Sequence, residues 1–392
     1  MSETQDVVII GGGVMGTSAA FWLTRMSPGL RVLVIERDPT WARAATALSV
    51  ASIRQQFSLA VNVRISRFGI EFLRDFKTRI GLADGVSSLG LRENGYLFLT
   101  GDRRTAEQMH ELALMQRREG AATEVLGPDG LGTRFPWLAT SDLVAGSYGS
   151  RDEGWFDNMG LLGGLRQAAQ AQGARFLTGE ADGLRVESGR VVSVGIAGLA
   201  PVSCGAAICA AGTRASRVLG WAGLDLPVEP RKRTVFVVDA PNARHPDAPM
   251  IIERDYYARP EHQHWITATV PESDSRCDVE DFEPEPQLFE DVIWPQLWHR
   301  IPGFDAARVL RFWVGHYDYN TLDQNALLGP HPDLPNLFVM SGFSGHGLQQ
   351  APAVGRGIAE HVLTGGWQSI DLSDLSIDRI ISGKAMRETE IV

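Results

Sequence analysis

Cysteine is nearly missing from this chain: three of 392 residues, Cys204, Cys209 and Cys277, an odd number with no Cys-x-x-Cys pair. That excludes a disulfide framework and a thiolate zinc site, and it fits a reducing compartment. Lysine is as scarce, at Lys77, Lys232 and Lys384 only, so cationic chemistry falls to arginine and histidine. An excess of positive charge is lacking too. The formal net charge is −10 and the pI about 5.4, which argues against nucleic acid and leaves Arg103-Arg104 and Arg231-Lys232-Arg233 as expected solvated surface. No apolar run approaches the roughly 20 residues that span a bilayer. The first apolar strand begins at Val7, which leaves no room for a signal or transit peptide, so the expectation is a soluble, cytoplasmic protein. At 392 residues, 44% of them hydrophobic, the chain suits two domains with filled cores.

Glycine, by contrast, is placed with purpose. Val7-Val8-Ile9-Ile10 runs into Gly11-Gly12-Gly13-Val14-Met15-Gly16, a small-residue helix follows from Met15 to about Arg25, and Val32-Leu33-Val34-Ile35 ends at Glu36. Four apolar residues in a row suit a strand buried on both faces. Gly11 permits a tight turn, Gly13 lets backbone approach a pyrophosphate, and Gly16 allows close helix–strand packing. The ligand's charge then faces a helix N-terminus, and Glu36, twenty residues after Gly16, is placed to accept ribose hydroxyls. These residues announce a dinucleotide and leave NAD, NADP and FAD open, NADP least favoured because it wants a basic residue in place of Glu36.

Ala44 to Gln56 is small and hydroxylated and ends near a cation, Arg54. It reads equally as a segment lying flat on a planar ligand or as an ordinary helix start. Val63 to Lys77 has helical spacing. From Leu91 the texture changes, with a strand at Tyr96-Leu97-Phe98-Leu99 and a helix from Thr105 to Glu119 that open a second domain. Gly160 to Gly173 is helical again, Ala174 to Leu177 a short strand and Leu184 to Ala197 a hairpin. Ala206 to Gly212 repeats the apolar-strand-into-glycine pattern and marks a return to the first domain. Arg233 to Val238 and Trp265 to Val270 alternate like strands of a half-exposed antiparallel sheet. Asp274 to Pro286 is expected to be a solvated acidic loop. His262 and His264 share a face if extended but lack a third ligand, so no metal is assigned. Finally Asn336 to Ser341 leads into Gly342-Phe343-Ser344-Gly345-His346-Gly347 and a helix with Pro352 in its first turn. Histidine at 346 excludes the GxSxG nucleophile elbow.

Taken together, the glycine motif with Glu36-Arg37, Ala45-Thr46-Ala47-Leu48-Ser49, Ala210-Ala211-Gly212 and Gly342 to Gly347 resemble the D-amino-acid oxidase and sarcosine oxidase superfamily of flavoproteins, over essentially the whole chain. Ser49 to Ser58 and Tyr317 to Asn325 look most like the FAD-dependent oxidoreductase-domain proteins known as complex I assembly factors and their bacterial relatives. The resemblance implies FAD, bound without a covalent link, and an α/β fold. A discontinuous Rossmann-like FAD-binding domain (1–90, 145–225 and 328–392) would join a substrate domain with a mainly antiparallel β-sheet (91–144 and 226–327). Gly11, Gly13, Gly16 and Glu36 would hold the ADP half, with Val14, Met15, Arg37, Ala181, Ala211 and Gly212 beside it. Thr46, Ser49, Ser52 and Ile53 would follow the ribityl chain and flavin, and Gly342, Gly345, His346, Gly347, Leu348 and Gln349 the pyrimidine edge.

The implied reaction is oxidation of the C–N bond of a small amino acid or N-alkyl amine, by hydride transfer to flavin N5, to an imine that water hydrolyses. Arg54, Tyr257, His346 and Gln349 are the implied catalytic positions. Sarcosine oxidases grip the substrate carboxylate with an arginine near Arg54 and a lysine where this chain has Gln349, while glycine oxidases use an arginine near Tyr317-Asp318. The flavin-linking cysteine of monomeric sarcosine oxidase falls at about His316, which excludes a thioether. The lysine those enzymes place over the flavin falls at about His264 or Trp265, leaving Arg259, His264 or His346 as substitutes. The expected electron acceptor is therefore a quinone or electron-transfer protein ahead of oxygen. The rival expectation is a flavoprotein with a binding or assembly role and little turnover.

Overall fold

The computed structural model describes residues 4–82, 86 and 88–390. Val7 to Ile10 lie in the strand Gln5–Ile10, flanked in parallel by Val32–Glu36 and Leu199–Cys209. Side-chain alternation sends Val7 and Ile9 into one apolar layer with Phe21 and Val354, and Val8 and Ile10 into the opposite layer with Val194 and Val218. A central parallel strand requires cover on both faces, and the sequence supplies it. The sheet runs Leu327–His331, Leu334–Ser341, Leu199–Cys209, Gln5–Ile10, Val32–Glu36, Arg175–Thr178. Along this path it is parallel except for its first pair, and off the path Arg190–Ile196 pairs antiparallel with both Leu199–Cys209 and Ala181–Glu187. This is the Rossmann-like sheet expected, drawn from separate stretches of chain.

A second sheet runs Arg308–Asn320, Val228–Asp239, His264–Ala268, Tyr256–Glu261, Met250–Glu253, Tyr96–Thr100, Ala145–Gly149, Thr123–Leu126. Its pairs are antiparallel apart from Met250–Glu253 beside Tyr96–Thr100. Ala145–Gly149, placed with the first domain from sequence, belongs here: Leu97 to Thr100 pair with it residue by residue. The expected half-exposed sheet is also corrected. Val235 and Val237 face Tyr257 and Trp155, while Phe236 and Val238 face Phe289, Ile293 and Phe304. Alternation in the sequence therefore reflects two covered faces.

Two further expectations change. Pro352 is not in the first turn, because the helix Gly347–Thr364 starts earlier and places it at the sixth position. Proline cannot donate to the Leu348 carbonyl. The neighbouring carbonyls are served instead by the helix Val14–Met26: Ser18 Oγ donates to Ala351 O at 2.7 Å and Trp22 Nε1 to Pro352 O at 2.9 Å. The acidic loop, read as solvated surface, is bound to the basic cluster read the same way. Asp274 takes Arg233 through two bonds of 2.6 and 2.9 Å and Arg231 at 3.0 Å, Asp281 takes Lys232 at 3.0 Å, and Arg233 is buried. Charges separated by some 40 residues cancel across the sheet.

The tightest constraint near the glycine turn is at Gly16, where an added Cβ would stand 1.9 Å from the Gly11 carbonyl oxygen. Gly16→Ala is expected to cost about 1–3 kcal/mol through this overpacking. Thermal unfolding of the flavin-free protein checks it, and a melting temperature equal to wild type would show that the contact is not required.

Candidate functional site

Strand ends of the first sheet and the inner face of the second enclose one long cavity. At one end Gly11 adopts φ +105, and a Cβ there would meet the Ala210 carbonyl oxygen at 2.3 Å, so only glycine lets the turn pass the neighbouring strand. Glu36 Oε2 accepts the Gly12 amide at 2.8 Å and Oε1 the Asp38 amide at 2.9 Å, which fixes the carboxylate at the cavity wall. Thr46 Oγ1 accepts the Val14 amide at 3.1 Å and so ties the Ala45–Leu48 turn to the first helix.

Of the positions expected to hold the cofactor, Gly11, Gly13, Val14, Met15, Glu36, Arg37, Thr46, Ser49, Ser52, Ala181, Ala211, Gly212, Gly345, His346, Gly347, Leu348 and Gln349 line this cavity, as do Arg54 and Tyr257. Gly16, Ile53 and Gly342 do not. Gly16 is spent on helix–turn packing, Ile53 is fully buried in the core, and Gly342, at φ +79, holds a turn whose amide binds Asp318. Arg259, His264 and Trp265 are also off the wall. Arg259 pairs with Glu261 and donates to Val50 O, Trp265 Nε1 donates to Ala243 O, and His264 Nδ1 stands 3.7 Å from Asp239. His316 lines the cavity with its ring stacked on Phe282 at 4.4 Å and Nε2 2.6 Å from the Asp281 carbonyl oxygen.

Two helix N-termini reach the cavity, those of Val14–Met26 and Gly347–Thr364. Neither has a side-chain cap or an acidic residue in its first turn. Beyond the Val14 amide, which Thr46 holds, the first-turn N–H groups and the dipole of each favour a ligand with a pyrophosphate and an electron-rich ring edge. Near the second, His346 Nε2 is buried without a hydrogen-bond partner among the described residues. Burial, with the Arg54 charge second, pushes its pKa well below the usual histidine range, so the imidazole is neutral. These features fit FAD.

Around Arg54 the chemistry is denser. The side chain is 1% exposed. Its Nη1 donates to Gln56 O and its Nη2 to Glu390 O, and the guanidinium lies 4.2 Å from the centre of the Phe57 ring. Gln349 Oε1 accepts the Arg54 amide at 2.9 Å and Ser66 Oγ at 3.1 Å. Tyr257 is held protonated by burial.

Sequence reasoning missed two buried acids. Asp318 Oδ2 accepts the Gly342 and Phe343 amides at 2.8 and 3.3 Å and so shapes the glycine loop; burial raises its pKa to about 6. Glu153 accepts the Gln55 amide at 2.6 Å and Gln56 Nε2 at 2.9 Å, and burial raises its pKa to about 7. The far wall of Tyr96, Arg233, Val235, Met250 and Tyr317 was missed as well. Each is an ordinary strand residue, and no local pattern singles it out.

The family described as FAD dependent oxidoreductase matches residues 6–361. The FAD-dependent oxidoreductase domain-containing protein 1 of Bos taurus is 39% identical over 98% of this chain and 87% of its own length. Monomeric sarcosine oxidase of a Bacillus strain is 21% identical over the full length of both chains. The crystal structure of L-proline dehydrogenase from P. horikoshii superposes with a TM-score of 0.86 at 24% identity, covering 98% of this chain and all of that one. Among the described residues no helix is long and apolar enough to cross a membrane.

Glu153 makes a pH test available. Its folded pKa of about 7 lies above the ordinary 4.5, so its contribution to stability is whole below about pH 4.5 and is lost as pH rises through about 7. Glu153→Gln, which cannot ionise, is expected to lose less stability than wild type between about pH 5 and pH 8. Melting curves at both pH values read the difference, and parallel losses would refute the assignment.

Proposed function

This chain belongs to the family of FAD-dependent oxidoreductases, and from that membership we propose that it oxidises the C–N bond of a small amino acid or secondary amine, in the cytoplasm. The observation that carries the reading is the state of Arg54. A guanidinium removed from water needs an anion, yet among the described residues no carboxylate pairs with it within 4 Å, although Glu153 and Glu390 lie in its field. Two of its five N–H groups serve backbone carbonyls, leaving others for a ligand. A substrate carboxylate matches that fork with parallel charge-assisted bonds.

Gly11, Gly13, Val14 and Glu36 would hold the ADP half of FAD, and Gly345 to Gly347 its pyrimidine edge. When bound, FAD supplies the two-electron acceptor that takes hydride as the C–N bond becomes an imine, which water hydrolyses. The N-terminus of Gly347–Thr364 favours negative charge at that edge. Gln349 orients the Arg54 backbone instead of supplying the second cation expected from lysine-bearing relatives. His346, neutral, adds no charge beside Arg54, and Tyr257, protonated, presents a donor. Both keep Arg54 as the cation that selects an anionic substrate.

A panel of N-methyl, cyclic and D-amino acids mixed anaerobically with the holoenzyme tests the reading: one should bleach the flavin band, and Arg54→Ala should weaken its binding by roughly 2–4 kcal/mol. A panel that leaves the flavin oxidised would favour a binding or assembly role. Unchanged substrate affinity with lost FAD in the variant would assign Arg54 to the cofactor.

Electron delivery follows from the same charges. A positive charge beside the flavin promotes transfer to oxygen by stabilising developing superoxide, and among the described residues no lysine lines the cavity. Arg233 is neutralised by Asp274 and Arg54 is reserved for substrate. We therefore favour a quinone or electron-transfer protein over oxygen. Enzyme reduced anaerobically should reoxidise faster with an artificial quinone than in aerated buffer, and oxygen outrunning the quinone with stoichiometric peroxide would reverse the assignment.

A further inference from the structure

Residues 386–390 return to the site from a distance and lie beside Arg54. Met386 N donates to Asp323 Oδ2 at 2.8 Å, and Asn325 Nδ2 to Met386 O at 2.9 Å. Glu388 is fully buried: Oε1 accepts the Ser58 amide at 2.7 Å and Ser58 Oγ at 2.6 Å, and Oε2 accepts Asn62 Nδ2 at 2.9 Å. Thr389 N donates back to Ser58 Oγ at 3.0 Å, and Glu390 N to Glu388 Oε1 at 3.1 Å. Two residues past this anchor, the Glu390 carbonyl receives Arg54 Nη2.

A buried carboxylate satisfied by three donors on one loop and helix ties residues 386–390 to the body of the protein. Its geometric consequence is at Arg54. With Gln56 O on Nη1 and Glu390 O on Nη2, the guanidinium plane is held from both ends, so its remaining N–H groups keep one direction. An arginine otherwise loses side-chain freedom on being ordered by a ligand. Here that ordering is completed before a ligand arrives.

We propose that Glu388 is a positioning residue for anion binding: by locking residues 386–390 to Ser58 and Asn62, it holds the Glu390 carbonyl against Arg54 and presets the guanidinium for a carboxylate. This rests on Arg54 being the anion site. Removing the anchor weakens binding of a carboxylate and leaves a neutral ligand of the same shape unaffected.

The test uses the FAD-loaded full chain with acetate and acetamide as probes, each titrated by the flavin difference spectrum. In Glu388→Ala the acetate Kd is expected to rise at least fivefold, with the acetamide Kd and FAD content unchanged. Ser58→Ala, which removes one bond to Glu388, should give a smaller rise. The double variant should raise the acetate Kd by less than the product of the two single effects, since they share the Ser58–Glu388 bond while Ser58 Oγ also holds the Thr389 amide. If Glu388→Ala does not fold, the Ser58→Ala ratio of acetate to acetamide affinity decides. Equal acetate affinity in wild type and variant, or equal losses for both probes, overturns the positioning role. Wild-type protein that binds no acetate overturns the anion reading of Arg54 itself, and with it this inference, whereas failure of every amine to bleach the flavin overturns only the proposed reaction.

Discussion

The seam between the helices Val14–Met26 and Gly347–Thr364 organises the molecule. Ser18 and Trp22 donate to the Ala351 and Pro352 carbonyls, and Gly355 lets Ser18 approach so closely that a Cβ would stand 2.2 Å from its Oγ. Residues 333 positions apart are thereby hydrogen-bonded. Because the two helices follow adjacent regions of one sheet and are locked side by side, both N-termini open on the same cavity. A dinucleotide's pyrophosphate and flavin edge each need an electropositive partner, and under the proposed reading one packing contact would supply both in fixed relation.

Charge in the cavity is handled by arginine throughout. Arg233 is answered by Asp274 on the acidic loop, and Glu280 on the same loop pairs with Arg43 and Arg214, which reach it from the nucleotide side. The loop therefore links the two sheets at the cavity margin. Arg54 is treated differently. Backbone carbonyls order it without neutralising it, because a carbonyl offers a lone pair and no net charge. Strong orientation with unspent charge suits a group that must bind an anion and release it.

The glycine turn and the buried strand before it were legible in the sequence, since glycine spacing and an apolar run are local requirements that fall within thirty residues. Arg54, the proposed anion site, was suggested only by likeness to sarcosine oxidases, and Gln349 lines the cavity and accepts the Arg54 amide. Asp318 and Glu153 were not legible. Their partners lie 24 and about 98 residues away, and a buried acid looks like any other acid until the chain around it is placed. The acidic loop and the Arg231-Lys232-Arg233 cluster misled for the same reason: each alone looks solvated, and only their juxtaposition removes them from water.

What the sequence by itself determined was the chemistry of backbone and pattern: a buried parallel strand, the Gly11 to Gly16 turn, an acid at 36, and a second glycine-led helix at 347. These follow from sterics and periodicity that act over a few residues. Only the tertiary structure decided which side chains meet in the cavity, how Arg54 is held by Gln56 and Glu390, and which charges are spent on one another. Such pairings depend on strand order and on contacts across as many as 336 residues, for which local sequence carries no physical constraint.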